Sequence, residues 1–415
     1  MKNLIFITGN YPWGIGEAFI ESEFPFLEKS FDNIWIISNE KPQSINRVID
    51  KRHQVLFFSY ELRFIEKLLS LRYLINKTIR QEINLIVKYK GIKSLYHCIS
   101  TLLASYSKGI KLSRFISLKI ISPENLKTHE SWVYSYWLND MATGIGILKK
   151  KYPDIKVFSR AHRWDLYPEQ SPINYLPLRQ FLGKKLDLII TISKHGCNTL
   201  RHMINKEDCS KVQCIPLGTS GGKHPRISEG GQVLNIVSCS GLIRRKRVDK
   251  IIEALSNIND ILINWTHLGG GSEEENILQL ADESLSSKEN ISFSFTGSLT
   301  NHDIMEFYMS SPVDLFINSS EDEGIPVSVM EAFSFGIPAI APNVGGIIEI
   351  IDSGINGYLL SKEANSNEIT DTIKTYFNLP VEKKHEMQKN AYLKWENNFN
   401  AKENYKKFLD KILSL

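Results

Sequence analysis

One stretch, VDLFINSSEDEGIPVSVMEAFSFGIPAIAPNVGG from Val313 to Gly346, constrains the fold more than any other. It alone joins a β-rich run, a glycine turn, a helix with carboxylates at fixed spacing and a second apolar run. Val313 to Ile317 reads as a strand, Ser319 and Ser320 as turn and cap residues, and Gly324 followed by Pro326 as a loop feeding the first turn of a helix. That helix is predicted to run through Val327, Met330, Ala332 and Phe333 and to stop at Gly336, where Ile337 to Ala341 begins another buried strand. Strand, helix and strand in this order belong to an α/β sheet.

Two carboxylates bracket the helix start. Glu331 follows Glu323 by eight residues, about two turns, which sets them up to ~12 Å apart. Between them the amides of Gly324, Ile325 and Val327 lie at the positive end of the helix dipole, where a phosphate is favoured. A carboxylate on each side of an anion site suits a ligand with hydroxyls at both ends and a diphosphate between. Spacing alone also fits a helix capped by acids with no ligand at all.

With 415 residues, 42% hydrophobic and 23% charged, the chain can bury two cores, and two domains are expected. A formal charge of +4 is too mild to imply a nucleic-acid protein. The cysteines are Cys98, Cys197, Cys209, Cys214 and Cys239, an odd number without a CxxC, so neither a disulfide framework nor a zinc site is expected and a reducing cytoplasm fits best. The apolar start, Leu4 to Thr8, ends at Gly9, Asn10 and Pro12, too short for a signal peptide or anchor. No window reaches the roughly 20 apolar residues of a spanning helix, so membrane contact is expected to be peripheral.

Taken in order, LIFITGN, a glycine loop, EAFIESEFPFLEKSF and NIWIISN read as strand, loop, helix and strand. The loop holds Gly14 and Gly16 but lacks the third glycine of a dinucleotide fingerprint, Phe19 standing there, which disfavours a nicotinamide enzyme. From Arg63 to Lys119 the chain is helical and basic, with Phe64, Leu68, Leu71, Ile75, Ile79, Ile83 and Ile86 expected on one helical face. Such a face packs on a core, lies on an anionic membrane or receives an acidic lipid-linked acceptor. The strand Lys156 to Ala161 delivers His162, Arg163, Trp164 and Asp165 at its C-terminal edge, where ligands of open α/β sheets sit. Glycine-rich PLGTSGGKHPRISEGGQ is the best linker. Beyond it, Arg244, Arg245, Lys246 and Arg247 occupy a strand-to-helix loop, suited to neutralising a diphosphate and equally readable as a solvated turn.

The segment SSEDEGIPVSVMEAFSFGIPAIAPNVGG resembles the donor-binding segment of the GT4 family of retaining glycosyltransferases, matching S-x-x-E-G-x-P-x-x-x-x-E-A-x-x-x-G-x-P from Ser320 onward. SRAHRWDLYPE resembles that family's R-x-H-x-x-D-L-Y segment, LGGGSE and FTGSL its two glycine turns, and Gly345, Gly346 and Glu349 match after the central segment. Against the pattern G-R-L-x-x-x-K-G, Lys246 falls on the phosphate-binding lysine, Gly241 stands in place of the arginine and Arg247 in place of the final glycine.

The resemblance implies an α/β fold of the GT-B type, two Rossmann-like doubly wound domains facing each other across a cleft. Residues 1–217 would form the acceptor-side domain, 218–232 the linker and 233–390 the nucleotide-sugar domain. Residues 391–415 would form a terminal helix crossing back, anchored by Trp395 and Phe399. It implies metal-independent transfer of a hexose-type unit, with retained configuration, from a UDP- or GDP-linked sugar to a hydroxyl of a saccharide or lipid-linked saccharide, in surface polysaccharide synthesis at the inner face of the membrane. No cofactor beyond the donor and no nucleic acid are implied. His162, Glu323 and Lys246 would be catalytic. Donor contacts would come from Gly16, Gly297, Gly324, Ile325, Pro326, Val327 and Glu331, with Arg244 or Arg245 supplying the charge missing at Gly241. Gly14, Arg160 and Asp165 would bind acceptor or orient His162. Two other readings share the architecture: a non-hydrolysing sugar-nucleotide epimerase, and a catalytically silent partner subunit.

Overall fold

The computed structural model describes residues 1–13, 17, 19–41, 47, 49–121, 130–222, 225 and 231–415. Gly14, Gly16 and most of the glycine-rich linker lie outside the described residues. The chain divides into two compact units, Met1–Pro216 with Tyr405–Leu415, and Leu217–Asn404.

The first unit carries strands β1 (Lys2–Ile7), β2 (Asn33–Ser38), β3 (Gln54–Phe57), β4 (Glu130–Ser135), β5 (Lys156–Ala161), β6 (Leu188–Thr191) and β7 (Val212–Cys214). Its helices are α1 (Ile20–Ser30), α2 (Phe64–Leu69), α3 (Lys77–Lys90), α4 (Ile92–Lys119), α5 (Asp140–Lys151), α6 (Arg179–Lys185) and α7 (Lys194–Met203). The strands form one parallel sheet in the order β3-β2-β1-β4-β5-β6-β7. Both faces are covered, and so the strands read as apolar runs rather than alternating ones. Leu4 and Phe6 point to the face of α1 and of Phe408 and Ile412, whereas Ile5 and Ile7 point to the face of Leu112, Ile116 and Ile145.

The second unit carries β8 (Val233–Cys239), β9 (Leu262–Leu268), β10 (Ile291–Phe295), β11 (Leu315–Ile317), β12 (Ala339–Pro342) and β13 (Gly357–Leu360). Between and after them run α8 (Val248–Ser256), α9 (Glu274–Leu285), α10 (Asn301–Ser310), α11 (Val327–Phe333), α12 (Ser366–Phe377), α13 (Val381–Asn398) and α14 (Ala401–Leu413). This sheet is also parallel, in the order β10-β9-β8-β11-β12-β13. The strand order reverses at β8, so the loop after β8 and the loop after β11 diverge at a switch point, the ligand position of such sheets.

Three expectations change. The apolar face predicted from Phe64 to Ile86 is not one face: Asn76 caps a new helix, its side chain accepting from the Thr78 amide, and it is Ile79 and Ile86 of α3, with Ile83 partly buried beside them, that enter a core. Trp395 and Phe399 anchor α13 within the second unit, where the Trp395 indole donates to Thr219 Oγ1 at 2.9 Å and the Phe399 carbonyl accepts from the Thr219 amide. The residues that pack on the first sheet come later, after the break at Asn400: the Trp132 indole donates to the Ile412 carbonyl at 2.9 Å, and Phe408 lies in that core. Arg160 offers no surface to an acceptor. It is fully buried, paired with Glu23 at 2.9 Å and bonded to Tyr134 Oη at 3.0 Å, a cation that satisfies a carboxylate inside the sheet face.

Candidate donor and sugar site

In the second unit, β8 ends at Cys239 and the chain makes a short 3-10 turn over Arg244–Lys246. The Lys246 ammonium donates to Glu323 Oε1 at 2.5 Å, and Asn318 Nδ2 donates to the same oxygen at 3.3 Å. Ser319 Oγ donates to the Lys246 carbonyl at 2.9 Å and the Glu321 amide to the Arg245 carbonyl at 3.0 Å. The loops after β8 and β11 are therefore laced together along their backbones. Burial acts to raise the Glu323 pKa, but the Lys246 charge, with hydrogen bonds from Lys246, Ser320 and Asn318, outweighs it and holds the carboxyl below its ordinary value.

The conformation of the Glu323 loop depends on the glycine pair after β12. Gly345 has φ +53°, and a Cβ there would sit 1.7 Å from the Glu323 carbonyl oxygen, while the Gly346 amide donates to the Gly324 carbonyl at 2.6 Å. This contact brings the two motifs, far apart in sequence, into one loop cluster. The amides of Gly324, Ile325 and Val327 donate to no acceptor among the described residues. Pro326 serves as N-cap, its missing N–H costing nothing there. α11 is only seven residues long, shorter than the sequence suggested.

Glu331, on the last turn of α11, is buried and accepts from Asn301 Nδ2 at 2.6 Å. No other donor to its carboxylate is seen among the described residues. Burial pushes its pKa up to about 7, with the Asn301 bond opposing. Burial and then the Glu331 charge raise the Cys239 thiol, while Lys246 lowers it, so the end of β8 lies within reach of both charges. Behind it, the His267 ring joins Ser238 Oγ at 2.8 Å to the Ser240 carbonyl at 3.1 Å, and burial lowers its pKa to about 4, leaving it a neutral strut under the loop. The glycine turns close the same edge: Gly269 pairs with Gly297.

Around Lys246 the other cations differ in their commitments. Arg247 takes the left-handed conformation, φ +50°, and is tied to Asp249 at 2.8 Å and Glu321 at 2.7 Å. Arg244 and Arg245 are exposed and form no ion pair among the described residues. At Gly241 the nearest atom to an added Cβ is the Gly270 oxygen at 3.7 Å, so a side chain has room there.

In the first unit, His162 follows β5 and is 7% exposed, yet neither ring nitrogen has a hydrogen-bond partner among the described residues. Its ring stacks on Tyr136 at 4.7 Å and lies 4.5 Å from Trp137. Asp165 holds the turn rather than the ring: its oxygens accept from the amides of His162 at 2.8 Å and Leu138 at 2.7 Å, and its distance to the ring nitrogen is 3.9 Å. Glu17, which the sequence did not single out, accepts from the amides of Gly9, Asn10 and Tyr11 and from the Trp137 indole. It thus fixes both the loop after β1 and one wall of the His162 enclosure. Asn301 and His267 were missed as well, because each acts through a partner far away in sequence, and Asn318 was missed although its partner Glu323 is only five residues on. Among the described residues no group of three metal-ligating side chains occurs.

Residues 226–394 match the family described as Glycosyl transferases group 1. The putative colanic acid biosynthesis glycosyltransferase WcaL of Salmonella typhimurium is 25% identical over 224 residues, covering 52% of this chain and 53% of that one. A GDP-mannose-dependent alpha-mannosyltransferase of Corynebacterium glutamicum is 29% identical over 167 residues, 40% of this chain and 36% of that one. The chain thus spans about half the length, or less, of these curated relatives. Among solved structures, the lipopolysaccharide outer core galactosyltransferase WaaB in its apo form aligns with TM-score 0.68 at 14% identity, over 100% of this chain and 99% of the other. Anabaena HepE in complex with UDP aligns with TM-score 0.69 at 15% identity over 100% of both. The two parallel-sheet Rossmann-like units are those of GT-B glycosyltransferase structures, and the family match covers residues 226–394, within the second unit.

Proposed function

We propose that this chain is a group 1 glycosyltransferase that moves a sugar from a nucleoside diphosphate sugar to a hydroxyl of a saccharide or lipid-linked saccharide, in the assembly of a surface polysaccharide. The observation that carries the reading is Lys246 held against buried Glu323 beside three amides that lack acceptors, within the stretch that matches the family. An anionic diphosphate would draw on those amides and the ammonium, which stabilise the leaving group most where water is excluded. Glu331 would accept from ribose hydroxyls and Glu323 from sugar hydroxyls, with Gly297 lending backbone near the base and Arg244 or Arg245 adding charge. His162 would meet the transferred sugar, since a buried imidazole with two unpartnered nitrogens calls for a polar ligand. Asp165 keeps only the orienting part of its expected role, through the backbone.

The narrower GT4 assignment, retention of configuration and metal independence belong to the same reading. A front-face displacement needs no protein nucleophile, so these carboxylates are free to bind hydroxyls. The names of relatives support polysaccharide assembly, colanic acid for WcaL, and the HepE complex supports UDP as one donor base to try first. The test is thermal unfolding with UDP, GDP and ADP, followed by nucleoside diphosphate release with and without saccharide acceptors. A ligand that binds at a hundred times its Kd adds about 2.7 kcal/mol to stability, an easily read shift. No shift with any nucleotide would sink the proposal. Turnover without acceptor would point to an epimerase, and binding without turnover to a silent subunit.

A further inference from the structure

α2 is folded inside out. Its sequence is FIEKLL, and none of its residues is buried. Phe64 and Ile75 are each 77% exposed, and Ile65, Leu68, Leu69 and Leu71 are each about half exposed or more. The polar side faces the protein instead: Ser70 is buried with its hydroxyl on the Lys67 carbonyl, and Lys111 of α4 reaches Glu66 at 3.8 Å and the Glu61 carbonyl at 2.8 Å. A helix that only needed to close a core would turn the other way, because each apolar side chain left in water forgoes about 1.5–3 kcal/mol of burial. Six large apolar side chains exposed within the twelve residues of α2 and the 3-10 turn after it, Ser70–Ile75, are of the kind that marks a docking surface.

The charge around the patch selects the occupant. Arg63, Lys67, Arg72 and Lys77 are exposed around it, and Arg80, Lys88, Lys90 and Lys93 extend the positive surface along α3 and into α4. Acids are few here: Glu66 lies within 4 Å of Arg63 and Lys111, Glu82 is buried under Tyr175 and the Leu178 amide, and Glu61 is exposed, so the cations outnumber them at the surface. A second copy would bring the same cations face to face with these, which is repulsive. An apolar face ringed by lysine and arginine matches the boundary between acyl chains and anionic headgroups. No helix among the described residues is long and apolar enough to cross a membrane, so the contact would lie in the plane of the surface.

We propose that α2 and the turn after it, Phe64–Ile75, insert into the headgroup boundary of a bilayer containing anionic phospholipid. This inference is independent of the proposed transfer reaction, since its readout is binding. The full chain is mixed with vesicles of phosphatidylcholine alone or of equimolar phosphatidylcholine and phosphatidylglycerol, and the bound fraction is measured by flotation. Binding should need the anionic lipid and weaken as salt is raised. Phe64→Ser with Ile75→Ser should lower it at least about tenfold, from lost apolar insertion. Lys67→Glu with Lys77→Glu should lower it by about tenfold or more at low salt, from reversed charge near the surface. Both pairs are exposed, so unfolding midpoints should stay near the parent's. Absence of binding by the parent, equal binding to both vesicles, or variants that bind like the parent would overturn the proposal. So would a dimer of the parent, seen by light scattering, that Phe64→Ser with Ile75→Ser dissolves.

Discussion

Glu331 is placed to trade stability for binding, and Glu331→Gln separates the two. Its carboxyl is carried from 4.5 to about 7 by burial. Between those values the folded chain holds a proton that the unfolded chain has released, so stability falls as pH rises through this window, and the full cost is present above about 7. At 1.36 kcal/mol for each pH step, that cost is about 3 kcal/mol at pH 8. Glutamine keeps the shape and an oxygen for Asn301 Nδ2 but never ionises. The variant should therefore match the parent at pH 4 and exceed it in unfolding free energy by about 2 to 3 kcal/mol at pH 8. Nucleotide binding should move the other way. Ribose hydroxyls donating to a carboxylate are worth about 1 to 3 kcal/mol, so Glu331→Gln should weaken UDP or GDP by roughly 5- to 150-fold at pH 8. Much of that difference should vanish near pH 5, where the parent carboxyl is also neutral before binding. Urea unfolding at several pH values and titration calorimetry of parent and variant, compared as ratios so that the nucleotide's own ionisation cancels, read both effects. A stability gain equal at pH 4 and pH 8, or an unchanged nucleotide affinity, would refute the reasoning.

Lys246→Met leaves Glu323 buried without its cation and should cost about 3 kcal/mol at pH 7. The parent's Glu323, held below 4.5, contributes stability above that pH and loses it as pH falls through the depressed value, so the deficit should shrink at low pH; an equal deficit throughout would refute this. Gly345→Ala drives a Cβ into the Glu323 carbonyl from a left-handed backbone and should lower stability by about 2 kcal/mol or more together with nucleotide affinity, read by thermal unfolding and calorimetry; a wild-type melting curve would count against it. Glu17→Ala strips the acceptor from three amides and an indole and should cost about 2–3 kcal/mol while leaving nucleotide affinity as it was; coupled loss of both would contradict the assignment of Glu17 to the first unit alone.

What could be read ahead of the structure was local. Gly324, Pro326 and Gly336 punctuate a strand, loop and helix that the structure reproduces over Leu315–Pro342, and the spacing to Glu331 is fixed by the chain itself. What escaped was settled by distant partners. Glu17 sits in a loop whose sequence advertises glycines, yet its carboxylate is the centre because three backbone amides turn toward it. Arg160 carried the look of a site residue from its neighbours in SRAHRWD, but its partner Glu23 lies on another element, and a charge matched inside a core is invisible to spacing. The α2 stripe shows a third kind of limit. Periodicity reveals that a helix has an apolar side and says nothing of whether that side turns inward.

The two departures from the family pattern after β8 can be weighed against each other. Where the pattern has glycine, Arg247 accepts the left-handed backbone, and its guanidinium is spent on Asp249 and Glu321, so it is not the replacement for the missing arginine at Gly241. Arg244 and Arg245 are exposed and form no ion pair among the described residues, which leaves them able to follow an arriving anion. If one of them supplies that charge, Gly241→Arg, for which there is room, adds a redundant cation and should tighten UDP or GDP less than about threefold. Arg244→Ala with Arg245→Ala should then weaken the nucleotide about tenfold or more, the worth of one charge-assisted bond. The opposite pattern, a large gain from Gly241→Arg in affinity and turnover with little loss from the double alanine, would mean that the site is short of a charge. It would then move the reading toward a subunit that binds a nucleotide without transferring a sugar.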